Sequence, residues 1–281
     1  MRSIFTYLGR NRELTMGLKL LVGMFVLWLI GYFTVDLSKA SPLSAMPDMA
    51  PSSEYLLGTD TAGRQLLAVL IAGAPKTLEI GLIAGTVGLL VGTILGFVAG
   101  YFGGIVDAII RSAADVGLTV PALAVLVVIA SVISTLLNPE TMALIIASLA
   151  WMYPTRTIRS QVLSLRERAF VEVARLSGFN DFEIIFKELL PNLLPYLAAS
   201  FVGAVSAAVL AAIGLEALGL GPQTEPTLGM TIFWSIYYGA LLRGMWWWWA
   251  PPVVVIILMF IGLFLVSAGL DEIANPRLRR A

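Results

Sequence analysis

The main pattern in the chain is a series of long apolar stretches without Asp, Glu, Lys or Arg. A helix that crosses a bilayer needs roughly 20 mostly apolar residues, because about 30 Å of hydrocarbon must be spanned. Six stretches approach or exceed this length: residues 20–35 (which 14–16 can extend), 80–106, 116–139, 141–155, 189–215 and 244–270. The pattern predicts an all-α, polytopic integral membrane protein with six transmembrane helices. The third and fourth stretches lie close together, and a re-entrant pair is the alternative there.

Composition agrees with a bilayer as the solvent. Of the 281 residues, 58% are hydrophobic and 13% are charged, whereas soluble domains are about 25% charged. Cys and His are absent, which excludes disulfides, Cys/His zinc sites, thiol nucleophiles and a Ser-His-Asp triad. Eighteen basic residues balance eighteen acidic ones. We therefore expect no nucleic-acid partner, no metal site and no catalytic residues.

Basic residues divide unequally between the two sides of the predicted membrane. Of the 18 Lys and Arg residues, all but Lys39, Arg64, Lys76 and Arg243 fall on the side of the two termini. Because basic residues collect on the cytoplasmic side, both termini are predicted to be cytoplasmic. The predicted segments are a cytoplasmic amino tail (1–13), a first transmembrane helix (14–35), an extracytoplasmic segment with an amphipathic helix (36–76), a core transmembrane domain (77–271) that includes a cytoplasmic segment (156–190), and a cytoplasmic carboxyl tail (272–281).

The first apolar stretch has one feature of a signal peptide. Ser38 and Ala40 flank Lys39 in a small-x-small arrangement that resembles a cleavage site. The apolar stretch is longer than a signal peptide requires, however, and it follows a long charged leader. We expect it to be retained as a membrane anchor.

Glycines recur every three or four residues along the second stretch. They are Gly81, Gly85, Gly88, Gly92, Gly96 and Gly100. At this spacing they lie on one stripe of a helix, where small residues let another membrane helix approach closely. We predict that the stripe is a helix-packing surface, and a flexible gating element is the alternative.

The predicted spans carry no ionisable residue near their middle. Ion-coupled transporters place such groups at mid-depth, where they are costly and functional. A passive pore, or a subunit driven from outside, fits the sequence better than a self-powered pump, and no nucleophile–base pair indicates an intramembrane enzyme. Aromatic residues concentrate in 219–252 and suit an interfacial belt, with a stacking surface for a sugar or peptide as the alternative.

The segment between the fourth and fifth stretches predicts two short helices joined by a tight turn. One helix fits up to Ser177, and Gly178 suits the left-handed position that ends helices. Asn180 and Glu183 form a capping-box pattern for a second helix, and Pro191 lies near the start of the fifth span. The apolar residues expected to be exposed there are Phe170, Val171, Phe179 and Phe182. A partner's groove would cover them, and packing on the chain's own bundle is the alternative.

This segment resembles the EAA loop of permease subunits in ATP-binding-cassette importers. The family pattern is Glu-Ala-Ala, three residues, Gly, nine residues, then Ile-x-Leu-Pro. Here it reads Glu172-Val173-Ala174, Gly178 and Leu190-Pro191, with Val173 for the middle alanine and Glu188 for Ile. Four further segments resemble the second permease subunit of the dipeptide/oligopeptide/nickel branch: Leu57-Gly-Thr-Asp-Thr-Ala-Gly-Arg64, Gly96-Phe-Val-Ala-Gly-Tyr-Phe-Gly-Gly104, Glu216-Ala-Leu-Gly-Leu-Gly221 and Ala274-Asn-Pro-Arg-Leu278.

The resemblance implies a cytoplasmic EAA coupling helix that docks on an ATPase subunit. The implied ATPase-coupling residues are Phe170, Glu172, Ala174, Gly178, Phe182, Leu190 and Pro191. Glu172 would supply a polar docking contact and Ala174 a close approach. The chain has no Gly-x-x-x-x-Gly-Lys-Ser/Thr phosphate loop, so no cofactor is expected on it. ATP and Mg are expected on two partner ATPase subunits, and the other implied partners are a second homologous permease, an extracytoplasmic solute-binding protein and the lipid bilayer.

The implied function is half of the translocation pathway of an ATP-driven, binding-protein-dependent importer in the cell membrane, carrying di- or oligopeptides. The chain itself would not be an enzyme. The alternatives are an importer of oligosaccharides, nickel or glutathione, and, in another class, an autonomous secondary carrier or channel. Substrate-binding residues are not assigned: packing alone also explains the polar candidates Thr86, Thr93, Ser200 and Ser206.

Overall fold

The computed structural model describes residues 11–133 and 137–274. Its helices are α1 Arg12–Thr34, α2 Leu66–Phe102, α3 Gly104–Thr119, α4 Ala122–Val132, α5 Pro139–Ala150, α6 Met152–Arg166, α7 Ala169–Leu176, α8 Leu190–Ala217, α9 Leu228–Tyr237 and α10 Trp246–Ala274. The predicted all-α membrane fold is confirmed. Residues 1–10 of the predicted amino tail, 134–136 of the third stretch and 275–281 of the carboxyl tail lie outside the described ranges.

Within residues 11–133 and 137–274, four helical segments are long and apolar enough to cross a membrane: α1, α2, α10 and Asp181–Ala217, which includes α8. The pair α3 and α4 forms a fifth candidate, although it is bent by 86°. The bend divides the third predicted stretch, because Val120 precedes Pro121 and has an extended backbone, as residues before proline usually do. α5 has 12 residues and runs into α6 across Trp151, whose backbone is helical. The count of six spans stays a prediction.

The amphipathic helix predicted before the second span is not a separate element. Its apolar residues, 66–71, form the first turns of α2, which is 37 residues long. Leu66 is buried with Trp248 at the start of α10. Lys76 and Glu79 interrupt the apolar pattern, and the predicted span therefore started after them, at residue 80. In the structure Lys76 pairs with Glu225 and Glu79 is exposed, so the helix continues through both.

α2 is the central helix of the bundle. In its most apolar window 44% of residues are buried within the chain, against 17% for α1, which lies at the periphery. The glycines of α2 lie against its neighbours: Gly81 and Gly85 against α8, and Gly88, Gly92, Gly96 and Gly100 against α5 and α6. α10 packs against both α8 and α1. Helix backbones therefore approach this stripe of α2 closely, α8 near Gly81 and Gly85 and α5 and α6 further along.

The two ends of the bundle differ. We call the end with residues 36–65 and 218–245 the outer end, following the charge prediction, and the end with residues 156–189 the inner end. At the outer end, Arg243 donates hydrogen bonds to Asp48 and, at 3.0 Å, to the Thr61 hydroxyl. Partial burial acts to raise the pKa of the Asp48 carboxyl, but the hydrogen bonds from Arg243 and Thr61 and the Arg243 charge lower it below its usual value. These bonds join the segment after α1 to the α9–α10 connection.

Close packing at Gly85 can be tested with a matched pair of substitutions. A Cβ at Gly85 would lie 2.8 Å from the backbone N of Val205, whereas nothing lies within 4 Å of a Cβ at Gly23 in α1. We expect Gly85→Ala to push α2 from α8 and to lower the free energy of unfolding by about 1–3 kcal/mol. Gly23→Ala should be neutral or slightly stabilising, because Ala favours helices. Thermal unfolding of the purified variants measures the difference, and equal stabilities would contradict the packing role.

Candidate functional site

The candidate site is the projection of residues 167–191 at the inner end, which we call the coupling knob. Its first helix, α7, ends in a Schellman motif. Gly178 has a φ of +85°, its N–H donates to the Arg175 carbonyl at 3.0 Å, and the Phe179 N–H donates to the Ala174 carbonyl at 3.1 Å. The predicted helix end at Ser177 and the left-handed turn at Gly178 are confirmed.

The second half of the knob leads directly into a membrane helix. The Asn180 side chain accepts from the Glu183 N–H at 2.9 Å, and the Glu183 side chain accepts from the Asn180 N–H at 3.1 Å, which confirms the predicted capping box. Ile184–Leu189 is π-helical, and α8 follows with Pro191 in its first turn. Because proline lacks an N–H and crowds the carbonyl of the preceding turn, a locally widened helix accommodates it. Asp181–Ala217 is thus one continuous helical segment.

The inner face of the knob is part of the core of the bundle. Val171 and Ala174 on α7, with Ile184 and Leu189, are buried in one cluster that also contains residues of α2, α6 and α8. The prediction that Val171 is exposed is therefore wrong. Ala174 is buried too, so the close approach it permits is to the chain's own bundle and not to a partner. For this face, the alternative interpretation, packing on the chain's own bundle instead of in a partner's groove, is therefore correct.

Polar contacts fix the knob to α2 and join the inner ends of α2, α3 and α6 to one another. The Tyr101 hydroxyl of α2 donates to Asp181 at 2.7 Å. Arg166, at the end of α6, donates to the Gly100 carbonyl at 2.9 Å. Asp107 of α3 and Arg159 of α6 form a bidentate ion pair. These residues were not predicted as part of the site, because the paired positions are 52 to 80 residues apart and no local pattern relates them.

The opposite face of the knob is apolar and uncovered. The exposed large side chains are Val173 and Leu176 on this face of α7 and, in the second half of the knob, Phe182 and Phe186. Leu176 is 83% exposed. Val173 and Leu176 follow each other at helical spacing, opposite Val171 and Ala174, so a helical projection of α7 would have revealed both faces. Sequence reasoning missed Val173, Leu176 and Phe186.

The seven predicted coupling residues divide by exposure. Glu172, Gly178, Phe182 and Pro191 are exposed, Phe170 and Leu190 are half-buried, and Ala174 is buried. Within the described ranges, His, Cys, Asp and Glu side chains form no group of three that could hold a metal ion. An apolar face bordered by charged residues suits binding to a protein partner rather than chemistry on a small molecule.

Comparison with known proteins assigns the class of this fold and site. Residues 92–280 match the family model described as binding-protein-dependent transport system inner membrane component. The chain belongs to this family. It is a multi-pass inner-membrane permease subunit of a binding-protein-dependent importer, and not a catalytic subunit.

The matched relatives narrow the family to one branch. The chain is 30% identical over 273 residues to the dipeptide transport system permease protein DppC of Bacillus subtilis, which covers 97% of this chain and 84% of that protein. It is 29% identical over 226 residues to DppC of Alkalihalophilus pseudofirmus, covering 79% of this chain and 72% of that protein. The resemblance to ABC importer permeases of the peptide branch is confirmed.

A solved structure shares the fold. A chain of the MetNI methionine ABC transporter, in inward facing conformations, superposes with a TM-score of 0.55 at 20% identity. The match covers 75% of this chain and 97% of that one. At this identity the likeness concerns the fold alone.

Substitutions at Gly178 test whether the turn needs a left-handed backbone. Nothing lies within 4 Å of a Cβ at this position, so any cost arises from the backbone. The left-handed conformation costs an L-residue about 1–2 kcal/mol, but Asn adopts it more readily. We expect Gly178→Val to increase amide hydrogen exchange across residues 174–183, and Gly178→Asn to stay close to the unsubstituted protein. Equal exchange in the two variants would contradict this account of the turn.

Proposed function

We propose that this chain forms half of the translocation pathway of an ATP-driven importer and that the coupling knob docks in a cleft of a cytoplasmic ATPase subunit. The observation that carries the proposal is that the knob is apolar on two opposite faces. One face is already buried in the bundle. The other presents Val173 and Leu176 of α7, and the second half of the knob exposes Phe182 and Phe186, so this projection has the form of one that binds in a partner's groove.

The contacts of the knob explain how force on it would reach the pathway. Its inner face shares a core with α2, α6 and α8, and its second half continues into α8 without a break. When the ATPase subunits close on ATP, displacement of the knob would therefore move the inner ends of these helices together. Rigid-body movement of this kind gives alternating access. In this mechanism Leu176, Val173 and Phe182 are apolar anchors and Glu172 is the polar contact.

The partners follow from what the chain lacks and from its family. No phosphate loop is present in the sequence, so ATP and Mg would be bound by two separate ATPase subunits. A second, homologous permease would complete the pathway, and a solute-binding protein would deliver substrate at the outer end. The basic residues between 156 and 187 support a cytoplasmic position for the knob, and with it cytoplasmic termini.

Di- and oligopeptides are the proposed substrates, because the matched relatives are named as dipeptide transport permeases. The absence of ionisable residues from the middle of the predicted spans opposes an autonomous ion-coupled carrier.

Vesicles that contain this chain alone should show no solute flux. Vesicles with the whole complex and its binding protein should take up peptides only with ATP inside, and flux through the chain alone would contradict the proposal.

Substitutions on the uncovered face test the docking directly. Because Glu172 and Leu176 are exposed, Glu172→Lys and Leu176→Asp should leave the fold intact. We expect Leu176→Asp to reduce both peptide uptake and the amount of ATPase subunit that co-purifies with the permease by about tenfold or more, as for a central interface residue. Glu172→Lys should act in the same direction.

The controls are the same two types of substitution, Glu to Lys and Leu to Asp, at exposed residues of the outer end. Glu54 and Leu56 are both exposed in the segment after α1, far along the chain from the knob. Glu54→Lys and Leu56→Asp should retain uptake and ATPase binding. Normal uptake by Leu176→Asp in an intact complex would exclude the knob as the docking site.

A further inference from the structure

Glu216 is a buried carboxylate that the proposed function does not use. It is the last residue but one of α8, at the outer end, and its side chain is fully buried. Neither of its oxygens has a hydrogen-bond partner of normal geometry within residues 11–133 and 137–274. Burying a carboxylate without a partner is costly, so its presence at this position requires a physical reason.

The chain after α8 is folded around this side chain. α8 ends in a second Schellman motif, in which the Gly219 and Leu220 N–H groups donate to the Glu216 and Leu215 carbonyls at 2.8 and 3.0 Å. A Cβ at Gly221 would lie 2.7 Å from the Glu216 Cγ, and a Cβ at Gly229 would collide with Oε2. Glycine at these two positions makes the space that the Glu216 side chain occupies.

The carboxylate faces the first turn of α9. The groups around it are the Thr227 side chain and the N–H groups of Gly229 and Met230. Thr227 is the N-cap of this 10-residue helix, and its hydroxyl accepts from the Met230 N–H at 3.2 Å. The N–H groups of a helix start carry partial positive charge, so they attract a carboxylate oxygen.

The start of α9 is also fixed to α2. The Leu228 N–H donates to the Thr77 hydroxyl at 2.9 Å, and Lys76 pairs with Glu225. α2, α8 and α9 therefore meet around Glu216. The coupling knob lies at the other end of the same helical segment, Asp181–Ala217.

We propose that Glu216 is a positioning residue whose carboxylate holds the start of α9 against the outer end of α8, so that residues 218–237 follow α8 when the knob moves. The inference rests on the proposed function and extends it. Through α8, it connects the ATPase contact at the inner end of the chain to the position of residues 218–237 at the outer end.

The distance between α8 and α9 gives a readout that does not depend on transport. The chain contains no Cys, so Leu210→Cys in α8 and Ile236→Cys in α9, both exposed, can be spin-labelled selectively in a complex whose partner subunits lack accessible Cys. Double electron–electron resonance then gives the distribution of distances between the two spin labels with and without nucleotide. With Glu216 present we expect a narrow distribution that is the same in both states.

Glu216→Gln keeps the size of the side chain and removes its charge. We expect it to broaden the distribution in both states and to reduce uptake between about twofold and thirtyfold, the range for residues that couple distant sites. ATPase activity without binding protein should stay within about twofold. Glu216→Asp, which keeps the charge, should restore much of the narrow distribution, and Glu79→Gln, an exposed carboxylate of α2, should behave as the unsubstituted chain.

A narrow distribution and full uptake in Glu216→Gln would overturn the proposal and leave the importer function intact. If Glu216→Gln fails to assemble, Thr227→Val removes the hydroxyl that faces the carboxylate, and it should broaden the same distribution. An unchanged distribution in Thr227→Val would then overturn the proposal. Failure of the importer function would appear separately, as absence of ATP-dependent uptake by the unsubstituted complex.

Discussion

The structure depends on the burial of the inner face of the coupling knob in the core of the bundle. Val171, Ala174, Ile184 and Leu189 share one apolar cluster with residues of α2, α6 and α8. Each large buried aliphatic side chain contributes about 1.5–3 kcal/mol. A partly exposed ion pair such as Arg159–Asp107 contributes up to about 1 kcal/mol. Apolar packing is therefore the main contribution that holds the knob in place, and the ion pair joins the neighbouring helices α3 and α6.

In the proposed mechanism, displacement of a knob held in this way would move the whole bundle. The glycines of α2 bring its backbone into contact with α5, α6 and α8, so the helices that the knob touches are tightly packed along their length. The segment Asp181–Ala217 crosses from the knob to Glu216 at the outer end. In the proposed mechanism, force on the uncovered face of α7 would therefore be distributed over several helices, as movement as a rigid body requires.

Local features of the chain were predictable from sequence, and features that depend on distant neighbours were not. The turn at Gly178 and the capping box of Asn180 and Glu183 are set by residues a few positions apart, and both occur as predicted. The burial of Val171 and the exposure of Leu176 depend on which face of α7 meets the bundle. Apolar content alone does not distinguish these faces, because both carry apolar side chains.

The boundaries of the spans also depend on distant neighbours and were not predictable from local sequence. Charged residues near the start of α2 placed the predicted start of the second span at residue 80, but the partner that accommodates Lys76 is Glu225, 149 residues away. The tether between Tyr101 and Asp181 and the fold around Glu216 likewise join segments that no local pattern connects. The motif Glu216–Gly221 was recognised as a resemblance, and only the structure shows that its last glycine makes room for its first residue.

The most direct test of the central claim is the accessibility of the uncovered face of the knob in the assembled importer. A single Cys in place of Leu176 can be labelled with a water-soluble maleimide in the permease alone and in the complex with its ATPase subunits. The account predicts rapid labelling in the permease alone and strong protection in the complex, with no protection from the solute-binding protein. Equally rapid labelling in the complete complex would show that the ATPase subunits bind elsewhere, and would contradict it.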